Sequence, residues 1–248
     1  MSIFDTRAVV IKTQDYKESD KIVWFYSEKL GKISTIAKGA KKNRSKFFSS
    51  TLSFCFGNYT FYRGKGMYTL NEGEVVESFQ GLLMDLETIT YASYFCELID
   101  IAVGEEESDR ELFKDMITAF YFMKNKVGDL ETLARIFELR VLRATGYNLN
   151  LQNCTQCRSK ISSADYISLQ YLGGICNDCE KKNGIKITNG VYNILKYLNE
   201  ISLEKSYRIT IPDNLKEGIY EVLNQIISQN YFRKPKSLET LNLLKGVK

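Results

Sequence analysis

Four cysteines carry the most specific chemistry in the chain. Cys154 and Cys157 form one Cys-x-x-Cys pair, Cys176 and Cys179 form another, and 18 residues separate the two. A tight Cys-x-x-Cys turn brings two thiolates to one side of a loop. Two such turns facing each other complete a tetrahedron of sulfurs about 2.3 Å from a Zn2+ ion. Four thiolates leave no open coordination position, so the expected cofactor is one structural zinc ion. A redox Cys-x-x-Cys usually comes as a single pair beside a strand-helix unit, which this is not, while disulfides or a metal-free remnant stay open as alternatives. The insert reads as a strand over residues 165–172, with Gly173 and Gly174 as the turn that delivers the second pair. That is the layout of a zinc ribbon or knuckle.

The second chemical feature is positive charge. Residues 38–46 carry Lys38, Lys41, Lys42, Arg44 and Lys46, five basic residues in nine with no acid, and run into Phe47 and Phe48. Each cation that displaces a counterion from a single strand lowers log K by about 0.7 per decade of salt, so five phosphate contacts would give a slope near roughly −3.5. Arg63 and Lys65 add two charges at a predicted hairpin tip. A basic loop can equally be a solvated surface, and the run by itself does not decide between the two.

The elements that must position these groups follow from periodicity. At 248 residues with 44% apolar content, the chain is long enough for one large or two to three small domains with real cores. Residues 3–76 alternate as strands over 6–12, 21–26, 31–38, 52–63 and 67–76, and five strands in under 80 residues predict a small barrel. The basic loop then joins its third and fourth strands. Phe54 and Phe56 share one face, and Gly57 marks a bulge that lets the strand coil. Among Tyr59, Tyr62 and Tyr68, mostly expected as core, one or two could stack on bases, with nothing in the pattern to choose among them.

From Gly81 the period becomes helical: an apolar stripe from Leu82 to Ile101, then 112–127 and 130–144, read as antiparallel bundle helices. The acidic loop 105–109 and Asp129 suit helix starts. Arg135, Arg140 and Arg143 form a row that could meet an acidic peptide, against an ordinary half-buried helix. After the cysteines, Thr188 caps a helix, Pro212 opens another, and residues 238–244 read as a last docking turn. The expected architecture is α+β and multidomain: a barrel over 1–80, then a helical domain over 81–248 with the zinc insertion at about 150–183.

Composition excludes several classes. The absence of histidine removes Ser-His-Asp and Cys-His systems and every catalytic zinc that relies on imidazole. Charge is segregated: 13 basic and 8 acidic residues in 1–80, 7 and 13 in 81–150, and 14 and 9 in 151–248. Asp5 and Arg7 near the start, with no apolar run approaching 18 residues anywhere, point to a cytoplasmic protein with no membrane partner. A reducing compartment favours metal over disulfide, and Cys55 and Cys96 are expected in the core.

Several strings resemble the bacterial recombination mediator RecO family. They are TRAVVIKTQDYKESD at 6–20, LGKISTIAKGAKK at 30–42, YTL at 68–70, EVVESF at 74–79 and FELRVLRATGY at 137–147. The resemblance spans nearly the full chain, and the first two strings are distinctive as well as ordered. It implies an OB-fold barrel that binds single- and double-stranded DNA and a helical domain carrying the zinc segment. It further implies strand annealing, and cooperation with RecR to load recombinase on strands coated by single-strand-binding protein. No covalent chemistry is implied. The family's basic loop falls on Lys38, Lys41, Lys42, Arg44 and Lys46, and its zinc ligands on Cys154, Cys157, Cys176 and Cys179. A pocket for the acidic tail of single-strand-binding protein is implied in the helical domain, on no particular residues. The alternative reading is a zinc-containing protein-interaction adaptor with incidental DNA contact. A nuclease would need paired carboxylates at a metal, and no such pair stands out.

Overall fold

The computed structural model describes residues 2–64, 66–233, 235–237 and 240–241. Lys65 and most of 238–244 therefore lie outside the described residues. The fold is mixed α+β, with a closed five-stranded barrel at the amino-terminal end. Its strands are β1 (Ser2–Tyr16), β2 (Asp20–Ser27), β3 (Gly31–Ala37), β4 (Phe56–Arg63) and β5 (Tyr68–Glu77), in the order β1-β2-β3-β5-β4.

Closure depends on the length of β1. Its second half pairs with β2 from Ala8↔Ser27 to Tyr16↔Asp20, and its first half with β4 from Ser2↔Arg63 to Val9↔Phe56. A register shift between Val10 and Lys12 bends the strand between its two partners. The last seam is a short parallel pairing, Thr35↔Tyr68 and Ile36↔Thr69. Gly57 sits at a register shift as its sequence context predicts, and a Cβ there would overlap the Glu74 carbonyl. The interior is aliphatic and aromatic: Val10, Val23, Ile33 and Leu70 surround Phe25, whose ring lies 4.7 Å from Tyr59 and 5.0 Å from Phe61. Tyr59 and Tyr68 are core residues, which leaves Tyr62, half-buried, as the one of the three tyrosines with an open face.

Contacts divide the chain into two compact units. One draws on Met1–Lys126 together with the chain from Pro235, and the other comprises Val127–Lys234. Helices α1 (Leu86–Ala102) and α2 (Arg110–Lys124) belong to the first. The bundle expected of them is replaced by packing on the barrel: Phe113 meets Tyr26 and Phe56, and Phe120 meets Phe54 and Phe79. Aromatics of β2 and β4 and of the segments flanking β4 and β5 give the apolar stripe of α2 a place to bury. Asp85 and Asp109 cap these helices, accepting from Thr88 N and Leu112 N. Cys55 and Cys96 are buried, as expected.

The second unit packs α3 (Leu130–Ala144), α4 (Asn189–Glu200) and α5 (Asp213–Asn230) around a common core, with the cysteine segment between α3 and α4. Asp129 and Thr188 cap α3 and α4, while Pro212 stands at the N-cap of α5, one position before the first helical residue expected for it. Two of the three arginines in the row, Arg135 and Arg140, are buried, and Arg143 is exposed but engaged. Arg135 is buried against Glu138 at 3.0 Å, and Arg140 donates to the Asn199 and Ile201 carbonyls, with Arg143 joining it on Asn199. These carbonyls end α4, where the helix dipole favours cations, so the ordinary structural account of this helix holds.

Candidate nucleic-acid interface and metal centre

The cysteine segment carries a three-stranded sheet of order β7-β6-β8, from β6 (Tyr166–Ser168), β7 (Gly173–Gly174) and β8 (Gly184–Lys186). The glycine pair is therefore a strand and not the turn expected of it. The turn comes earlier, where Tyr171 N donates to Ser168 Oγ and Leu172 takes a left-handed φ of 50°. Glycine is needed at 173 because a Cβ would overlap the Asn150 carbonyl, and at 174 because one would press on the Tyr192 hydroxyl. From α4, the Tyr192 hydroxyl donates to Leu151 O at 3.0 Å and Lys196 Nζ to Ile161 O at 3.3 Å, fixing the segment to the helices.

The two cysteine turns meet face to face. The four Sγ atoms of Cys154, Cys157, Cys176 and Cys179 all lie within 4.8 Å of one another, and Cys157 and Cys176 are 3.7 Å apart. Sulfurs placed tetrahedrally about 2.3 Å from a metal stand about 3.8 Å apart, so the cage needs only sub-ångström adjustment to close on an ion. Burial works against a charged Cys154, which is 1% exposed. The N–H groups of Cys176, Cys157 and Gln156 outweigh that and bring its thiol down to about 6. The Ser159 hydroxyl and N–H hold Cys157 below its ordinary value. Cys179, crowded by Cys176 and Cys157, is pushed up to about 12. The cluster is already inclined toward thiolate at two corners, and it can hold a metal ion of zinc's size and softness.

The basic loop leaves β3 and returns to the barrel wall at Phe47. It is clipped at its start, where Gly39 N donates to Asp20 Oδ1 at 2.8 Å and Lys41 N to Ser19 O at 3.0 Å. The bond from Gly39 holds the Asp20 carboxyl below its usual range. Ala40 and Phe47 insert into the barrel core, and successive turns link Lys42, Ser45 and Phe48. The loop thus follows a set path with two apolar anchors. Lys38, Lys42, Arg44 and Lys46 are exposed, Lys46 also donating to Asn71 O at 2.9 Å. Lys41 is only partly exposed and paired with Asp15 at 2.9 Å. Arg63, at the end of β4, binds Glu106 at 2.7 Å and stacks on Tyr68. The sequence reading missed both carboxylate partners, which lie far along the chain from the cations they meet. It also left Phe47 and Phe48 undistinguished, although they are 6% and 53% exposed.

The outer face of β1, β4 and β5 holds a cleft of about 810 Å³ whose lining includes Asp5, Glu28, Glu72 and Glu74 beside Arg7 and Lys46. Arg7 is engaged by Glu28 at 2.8 Å and Lys29 also lines the cleft, so its carboxylates and cations come close to balance.

Comparison with known proteins agrees with this architecture. A family model described as Recombination protein O N terminal matches residues 1–79, and one described as Recombination protein O C terminal matches residues 83–239. The DNA repair protein RecO of Clostridium acetobutylicum is 55% identical over 245 residues, covering 99% of each chain. That of Clostridium kluyveri is 56% identical over 244 residues, 98% of this chain and 95% of the relative. The RecO of Acetivibrio thermocellus is 26% identical over 250 residues, spanning the whole of both. With the two family models matching residues 1–79 and 83–239 in turn, and 55% identity across the full length of a relative, the chain belongs to the RecO family of DNA repair proteins.

Proposed function

We propose that this chain is a non-enzymatic recombination mediator that binds single- and double-stranded DNA through the basic loop of its barrel and anneals complementary strands. With RecR, it helps load recombinase on strands coated by single-strand-binding protein, whose acidic tail it meets through the helical domain. Four thiolates hold one structural Zn2+. The observation that carries the reading is the loop itself: anchored through Ala40 and Phe47, it holds Lys38, Lys42, Arg44 and Lys46 toward solvent. An anchored row of cations meets a phosphate backbone with less ordering entropy lost than a free loop would. Phosphate contacts carry no base sequence, as annealing of arbitrary strands requires. No described helix is long and apolar enough to cross a membrane.

Four open cations, with Lys41 set aside for its pairing, give a single-strand salt slope near roughly −2.8, about a fiftyfold loss between 50 and 200 mM salt. Fluorescence anisotropy of a labelled oligonucleotide against salt tests this, with wild type beside Lys42→Glu/Arg44→Glu/Lys46→Glu. The expected outcome is a loss of well over tenfold in the variant and a shallower slope, with unfolding unchanged. Equal affinity of the two proteins at 100 mM salt would remove the loop from the interface.

A further inference from the structure

Beside the metal cluster lies a second cleft, of about 340 Å³, lined by Asn150, Asn153, Cys154, Thr155, Arg158 and Tyr171. Its chemistry differs from that of the barrel cleft because no carboxylate lines it. The Tyr171 ring is 53% exposed, a large aromatic surface left in water beside a concavity. Arg158 is exposed and takes a left-handed φ of 62°, a conformation that favours glycine. Its backbone N–H donates to Cys154 O at 2.9 Å, so the knuckle fixes where its side chain begins, and no ion pair to its guanidinium is formed among the described residues. The Asn150 carboxamide oxygen accepts from Gln152 N at 3.3 Å and Asn153 N at 3.2 Å. That bonding orients the amide and leaves its NH2 as the group with donors to offer. The walls are set in place: Asn150 N donates to Leu172 O at 2.8 Å, Gly174 N to Asn150 O at 3.1 Å, and Thr155 N to Gly174 O at 3.0 Å.

We infer that this cleft is a second nucleic-acid contact, taking one nucleotide of a single strand with its base stacked on Tyr171 and its phosphate on Arg158. A flat exposed ring, a guanidinium and outward amide donors suit a π-face joined to acceptor atoms and negative charge. Asn150 meets the acceptor edge of the base, and the site is tolerant of sequence because every base has a face to stack. An acidic peptide would share the charge, but the lining has no aliphatic side chain to take its apolar residues. The inference rests on the single-strand binding proposed above and extends it to the other compact unit.

The test uses the full zinc-loaded chain and a 20-mer oligothymidylate carrying 5-iodouracil, cross-linked by light and mapped by mass spectrometry, with anisotropy run in parallel. Arg158→Gly suits the left-handed backbone, Tyr171→Ala removes the ring, and Tyr171→Phe keeps it. The expected result is a cross-link at Tyr171, with Arg158→Gly and Tyr171→Ala each roughly fivefold to tenfold weaker, Tyr171→Phe within about twofold, and zinc content unchanged. Wild-type affinity in both Arg158→Gly and Tyr171→Ala, with cross-links confined to the barrel, would overturn the cleft and leave the barrel reading intact. Zinc loss from Arg158→Gly would show that the guanidinium serves the thiolates, and would also overturn it. Protection of Tyr171 by an acidic peptide, with no cross-link to the oligonucleotide, would assign the cleft to protein. Binding lost in the cleft variants but kept in the loop variant would count against the barrel alone, and no binding by wild type at 50 mM salt would end both readings.

Discussion

Two adjacent phenylalanines at the end of the basic loop should respond to truncation very unequally. Phe47 is 6% exposed in the barrel core, and its carbonyl accepts from Thr51 N at 3.1 Å and the Thr51 hydroxyl at 2.7 Å. Phe48 is 53% exposed. Truncating a buried phenylalanine costs about 3 to 5 kcal/mol through lost transfer energy and the cavity left behind, and a rim position belongs near 3. For a unit of this size that lowers the melting midpoint by about 10 °C. Phe48→Ala should stay within about 0.5 kcal/mol of wild type, as surface substitutions do. Differential scanning calorimetry of the two variants, following the barrel-containing transition, measures the contrast. Phe47→Ala should also weaken oligonucleotide binding, since it frees the loop's second anchor. An unchanged melting midpoint in Phe47→Ala, or an equal drop in both variants, would refute the assignment of Phe47 as anchor.

Metal retention should depend on pH with a definite sign. Cys154 loses its proton near 6 and Cys179 only near 12, so at neutral pH metal binding must displace at least one proton. Zinc affinity should fall about tenfold per pH unit for each thiol protonated, and more steeply below about 6, which a competition titration with a chromophoric chelator reads directly. Complete chelation should expose residues 154–179 to hydrogen exchange, and an unchanged exchange pattern would mean the segment holds its shape without metal. Glu106→Gln should raise single-strand affinity by about twofold to fivefold at low salt by releasing Arg63, an effect lost at 0.5 M salt; no change would take Arg63 out of the interface. Gly31→Ala should destabilise the barrel by about 2 to 4 kcal/mol, because φ is 66° there and a Cβ would overlap the Glu107 carbonyl; a melting curve like wild type would contradict that packing.

Strands β2 and β3 were readable in the sequence almost to the residue because short runs rich in apolar and β-branched residues end at turn residues on both sides. β1 reads short, as 6–12 against Ser2–Tyr16, because residues 13–16 are mostly polar and the adjacent apolar pair Ile3 and Phe4 breaks the alternation at the other end. β4 reads long, because Leu52, Phe54 and Cys55 are apolar like strand residues yet bury from a turn in which Phe54 has φ 68°. Asp129 and Thr188 announce α3 and α4 by cap chemistry. Asp85 carries the same signal for α1, but the leucines at 82 and 83 drew the expected start forward into what is a 3-10 turn. The metal site was legible because ligand spacing is a local property. The charged surface was legible only as composition: which cations stay open depends on Asp15 and Glu106, and no local pattern links Lys41 or Arg63 to them. Likewise, the stripe of α2 declares that it will be buried but does not name the barrel as its partner.

The Ser237 backbone N–H and hydroxyl both bind Glu97 of α1, at 2.9 and 2.8 Å, so the chain passes through its entire second unit before finishing the first. During synthesis, the barrel and its two helices can collapse as soon as residue 126 clears the ribosome, yet one stitch waits for the last dozen residues. Expression fragments cut at the barrel boundary will lack both helical cover and that stitch.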